Sequence, residues 1–130
     1  MTEDEFRAMA LNLPGAIEAS HMDHPDFRVD GKIFATLRYP RRGWGMVALT
    51  PDEQMLVVQA EPDVFAPANG AWGRRGATLV DLKVARKRSV RTALAAAWRR
   101  RASTQRTRVI SSAATKTGAG RATGARSRKR

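Results

Sequence analysis

Cysteine is absent from the chain. That excludes disulfides, cysteine-ligated zinc, iron–sulfur clusters and thiol catalysis. Long apolar runs are absent too. The longest, Met55–Val58 and Ala93–Trp98, fall far short of the roughly 20 residues that span a bilayer. The first five residues, Met-Thr-Glu-Asp-Glu, are acidic, so no signal peptide is expected. Serine is scarce before residue 103, with only Ser20 and Ser89, and no serine triad can be assembled. Acidic residues stop at Asp81: the last 49 positions contain none. These absences lead to the expectation of a cytoplasmic protein with no membrane segment, no cofactor and no catalytic constellation; the sequence does not fix its oligomeric state, and a monomer is the default expectation.

What is present is charge of one sign, unevenly placed. Of the 130 residues, 24 are Lys or Arg and 12 are Asp or Glu, a formal net charge of +12. All 12 acids and only 9 of the bases lie before residue 86. A mildly acidic body thus carries a basic end, the usual mark of contact with DNA or another polyanion.

The body reads as one domain. Thr2 and Glu5 have capping-box spacing, and Phe6, Met9, Ala10 and Leu13 form a helical stripe ended by Pro14-Gly15. Residues 27–34 read as a hairpin about an Asp30-Gly31 turn, with Val29 opposite Lys32 and Phe27 opposite Phe34. Pro40–Gly43 is a turn, and Trp44–Leu49 returns as a strand. Thr50, Pro51 and Glu53 start a second helix whose apolar side is expected from Met55, Leu56 and Val58. Residues 62–67 read as an irregular piece, Gly70–Gly76 as a tight loop and Ala77–Leu82 as a strand. From Arg86 to Arg101, Val90, Ala93, Leu94, Ala97 and Trp98 make a helical stripe, with Arg88, Arg91 and Arg99 on the opposite side. The order predicts an α+β domain over residues 1–102, an antiparallel sheet with helices packed on it. Residues 103–130 are expected to be a disordered basic tail, too poor in large apolar side chains to offset the entropy of ordering.

Candidate chemistry is sparse. His21, Asp23, His24 and Asp26 are a ligand-type cluster, but a His-x-x-His pair entering a hairpin lacks the helical geometry of metalloenzyme signatures. The alternative is that they satisfy loop backbone groups, with Asp26 holding the turn before Phe27. No metal is expected. The Gly70–Gly76 segment could hold an anion through backbone N–H groups and two arginines, yet it has no Gly-Lys-Ser/Thr and precedes its strand, unlike a Walker loop. Trp72 within it reads as a core or semi-buried anchor, the alternative being a platform for a base.

The strings Ser20–Thr36 and Phe65–Thr78, with Ala97-Trp98-Arg99, resemble the MmcQ/YjbR-like family over about residues 2–102. The resemblance implies a CyaY-like α+β fold with hairpins of double-wing type, and a DNA-binding role. The residues expected to meet phosphate are Arg41, Arg42, Arg74 and Arg75 on loops, Arg88, Arg91 and Arg99 on the last helix, and Arg126, Arg128, Lys129 and Arg130 in the tail. The competing expectation is a small ligand- or protein-binding module. Trp72, Trp44 and the His21/His24 segment would line its pocket, and its tail would only aid solubility or non-specific polyanion contact.

Overall fold

The computed structural model describes residues 1–103. The four tail residues named above lie outside that range. The elements are α1 (Glu3–Leu11), β1 (Ile17–His21), β2 (His24–Val29), β3 (Lys32–Leu37), β4 (Trp44–Ala48), α2 (Pro51–Ala60), β5 (Phe65–Pro67), α3 (Gly70–Arg74), β6 (Ala77–Asp81) and α4 (Lys87–Arg101). Six antiparallel strands form one sheet in the order β1-β2-β3-β4-β6-β5, so β5 lies at the edge and β6 beside β4. The α+β architecture expected from the sequence is found, with three elements more than the sequence indicated: β1, β5 and α3.

The helix starts follow local chemistry. Thr2 and Thr50 each accept from the backbone N–H three residues on, and Glu5 and Glu53 each accept from the cap N–H. Both are complete capping boxes, satisfying two orphan donors per helix. In α1 the box is reinforced from outside, because Lys87 Nζ lies 2.8 Å from Glu5 Oε2. The Lys87 hydrogen bond, then the Thr2 N–H, hold the Glu5 carboxyl at about 2 against an ordinary 4.5. A carboxyl depressed on folding stabilises fully above its ordinary value and loses that effect as pH falls through the folded one. The melting-temperature gap between wild type and Glu5→Gln is therefore expected to close as pH drops from 4.5 to 2. A gap unchanged across that window in thermal melts would contradict the pairing.

The Asp30-Gly31 turn forms as expected, with φ of 51° and 80° and Val29 opposite Lys32. The register beyond it differs. A bulge between Phe27 and Arg28 sets Phe27 opposite Ala35 and Arg28 opposite Ile33, leaving Phe34 as the extra residue. The bulge lets Phe34 join Ala35 and Leu37 in one core. Phe27 meets a helix instead, its ring 6.1 Å from that of Phe6 in α1.

The sheet has two unlike faces. One is covered by α1 and α4: Phe6, Ala10, Phe27, Leu37, Val47, Val80 and the full predicted stripe of α4 are buried there. Trp98 Nε1 donates to Pro14 O at 2.8 Å and ties α4 to the α1–β1 connection. The other face carries Met46, Ala48, Ala68 and Ala77, flanked by Tyr39 and Leu79. Helix α2 corrects the sequence reading in part: Val58 packs on the core as expected, but its neighbour there is Val57, while Met55 and Leu56 are exposed. Gly70–Gly76 is also corrected. It opens with the short helix α3, held by Gln54 Nε2, which donates to Gly73 O and Ala77 O.

Candidate nucleic-acid interface

Asp26 shows how far the loop reading of residues 20–26 was from the fold. Residues 17–29 are a hairpin, β1 and β2, turned by Met22-Asp23 with φ of 49° and 66°. Asp26 lies inside β2, fully buried, not at a turn. Its carboxylate accepts from Arg28 Nε at 2.7 Å and contacts His21 Nδ1 at 2.7 Å. Burial pushes its pKa up, but the hydrogen bonds and charges of Arg28 and His21 outweigh burial and leave it lowered. The segment thus holds a buried carboxylate, Asp26, paired with the half-buried His21 and Arg28, a network that stitches edge strand β1 to β2. Among the described residues no three His, Asp or Glu side chains come together as a metal site.

A row of rings crosses the face opposite α1 and α4. His21 meets His24 at 5.8 Å, His24 meets Tyr39 edge-on at 5.7 Å, and Tyr39 meets Trp72 edge-on at 5.1 Å. Trp72 is therefore a semi-buried ring and not a core one: it packs on Tyr39 and remains 39% exposed. The Tyr39–Trp72 contact brings the β3–β4 connection, which bears Arg41 and Arg42, against α3, which ends at Arg74 and is followed by Arg75. Arg41 itself stacks on the Trp44 ring, 5.4 Å from its centroid.

The seven arginines expected at an interface and lying in the described range are all exposed. Carboxylates of the body are engaged by other cations: Arg7 with Asp4 and Glu18, Arg28 with Asp26, Arg38 with Glu3, and Lys87 with Glu5. Among the described residues none of Arg41, Arg42, Arg74, Arg75, Arg88, Arg91 or Arg99 forms an ion pair. Five of the body's twelve carboxylates, Glu3, Asp4, Glu5, Glu18 and Asp26, are thus held by cations other than these seven.

The arginines do not gather at one point. Arg75 alone of the seven lines a recess of about 250 Å³, which it shares with Ala48, Trp72, Ala77, Arg100 and Arg101. The last two were missed as site residues. Their signal was present in the Arg99–Arg101 run, which reads first as a favourable charge at a helix C-terminus. Trp44, His21 and His24 are not part of this recess, so the pocket expected for a binding module is not assembled there. No described helix is long and apolar enough to cross a membrane.

Comparison with known proteins adds the following. The YjbR family model matches residues 11–100. A crystal structure of Deinococcus radiodurans protein DR2400, with family-model domain DUF419, superposes with a TM-score of 0.63 at 18% identity, covering 75% of each chain. That likeness is one of fold. No curated protein sequence matches.

Proposed function

Because the chain belongs to the YjbR family, we propose that it is a cytoplasmic, non-enzymatic DNA-binding protein that grips the phosphate backbone through exposed arginines of the domain and cations of its C-terminal segment. The supporting observation is the pairing pattern. Every ion pair between two described residues uses Arg7, His21, Arg28, Arg38 or Lys87, and the seven exposed arginines keep their charge for a partner. An Arg bound to a surface carboxylate releases little on exchanging it for phosphate; a hydrated, unpaired Arg displaces counterions from DNA and gains their entropy.

Substituting Arg41, Arg42, Arg74 and Arg75 by Ser in the full chain separates domain from tail. Each phosphate contact contributes about 0.9 to the slope of log affinity against log salt. If these four touch backbone, the variant's slope is expected to be shallower by roughly 3 to 4, read by fluorescence anisotropy on a duplex. A slope equal to wild type assigns all binding elsewhere. A wild-type chain that ignores duplex DNA at low salt removes the DNA reading altogether.

A further inference from the structure

The recess beside Trp72 differs in kind from the exposed arginine surface. Three guanidiniums, Arg75, Arg100 and Arg101, meet there with no carboxylate among the lining residues. Arg100 Nη1 donates to Leu49 O, which fixes its side chain where β4 ends. Arg101 is partly buried, and its Nε is shielded from solvent with no acceptor. A buried guanidinium N–H without a partner carries a desolvation cost that an anionic acceptor would remove. The opposite wall is apolar: Ala48, Ala77 and the indole of Trp72, whose ring is held edge-on by Tyr39.

We infer that this recess binds a phosphomonoester carrying a flat aromatic ring, that is, a nucleoside monophosphate, free or as the 5′-phosphorylated end of a strand. Charge selects the phosphate type. A monoester carries about −1.5 to −2 at neutral pH, against about −1 for a backbone diester, and suits three convergent guanidiniums better. Arginine's planar fork also matches phosphate oxygens two at a time. Size selects the rest. At about 250 Å³ the recess is smaller than the roughly 300–1,000 Å³ of drug-sized sites. It has room for the phosphate and the adjoining sugar, with the base carried on the exposed part of Trp72 as its stacking surface. Burial of Arg101 and the neighbouring charge of Arg100 both lower the Arg101 pKa, the direction expected of cations crowded together without an anion. The inference shares only Arg75 with the DNA surface and does not depend on it.

The test is calorimetric titration of the full chain at about 0.15 M salt, where the Debye length is about 8 Å and exposed cations act weakly at a distance. The ligands are AMP, adenosine, the cyclic 3′,5′ diester of AMP, inorganic phosphate, and one oligonucleotide with or without a 5′-phosphate. AMP is expected to bind at least tenfold more tightly than adenosine or the cyclic diester. Arg75→Gln and Arg101→Gln are each expected to weaken AMP about tenfold or more, as for loss of a charged hydrogen bond. Arg75 is exposed, so its variant is expected to keep the wild-type melting temperature. Trp72→Ala is expected to weaken AMP while leaving inorganic phosphate unchanged. Competition by the 5′-phosphorylated oligonucleotide alone would assign the site to strand ends; its failure to compete would assign free nucleotide. AMP binding no tighter than adenosine, or unchanged in Arg75→Gln, overturns the inference. A chain that binds AMP but not duplex DNA would keep the recess and discard the DNA surface.

Discussion

Raising salt from about 50 to 200 mM is expected to weaken duplex binding by the full chain about a thousandfold or more. That is the loss that accompanies six to ten neutralised phosphates. The chain has the cations to make that many contacts. The seven expected arginines stand exposed and outside the ion pairs of the described domain, and eight further Lys and Arg follow Arg101. Sequence preference is expected to be weak. Reading bases takes side chains placed in register against groove edges, whereas these arginines sit on two connections, a one-turn helix and a helix face. Two duplexes of unrelated sequence should then bind within about threefold of each other at any one salt, because phosphate contacts carry no base information. Anisotropy titrations at five salt concentrations give both quantities. A slope shallower than about −2 would mean no more than two or three phosphates are engaged. The basic end would then be a solubility device, and the binding-module reading would gain.

Features legible in the sequence were those set by neighbours a few residues apart. The capping box of α1 needs only Thr2 and Glu5, and the Thr50 cap with Glu53 at the third helical position is equally local. The stripe of α4 was fully readable, because a helix buried on one side must repeat near 3.6 residues. The turn at Asp30-Gly31 was readable for the same local reason, but the register past it was not. Whether Phe27 faces Phe34 depends on a bulge that aims Phe27 at Phe6, and α1 is about twenty residues away in sequence. Strand β1 was hidden twice over. It is an edge strand with Ile17, Glu18 and Ser20 exposed, so it lacks a clear alternation, and its turn uses Met22-Asp23 with no glycine. Helix α3 was hidden by glycine content. Gly70, Gly73 and Gly76 suggest a loop from composition, while the helix is held in place by Gln54, about twenty residues upstream. The arginine surface could be listed from the sequence. The recess could not, since it joins the end of α4 to α3 and two strand ends.

Gly76→Ala is expected to lower the melting temperature by about 12–24 °C, which corresponds to a loss of about 3 kcal/mol at 4–8 °C per kcal/mol. Gly76 has φ of +115°, which side chains rarely adopt, and a Cβ there would stand 1.8 Å from Leu49 O. The obstacle is backbone, so no rotamer change relieves it. Strain alone costs of order 1–3 kcal/mol. Moving the chain away would also break the Leu49 N–H bond to Gly76 O and the Thr78 Oγ1 bond to the same carbonyl. Each is worth about 1 kcal/mol net, and more if Thr78, which is fully buried, loses its acceptor. Gly43→Ala is the control. Its φ is +85° but nothing lies within 4 Å of a Cβ, so only the backbone term of about 1 kcal/mol is expected. The difference between the two variants isolates the close approach of β4 to the start of β6. That approach also sets the recess, since Ala48 and Ala77 are paired neighbours at this junction and form its apolar wall. Equal melting temperatures for the two variants would show that the strand ends have slack. In that case Gly76→Ala would leave AMP binding intact; with a tight junction, stability and AMP binding are lost together.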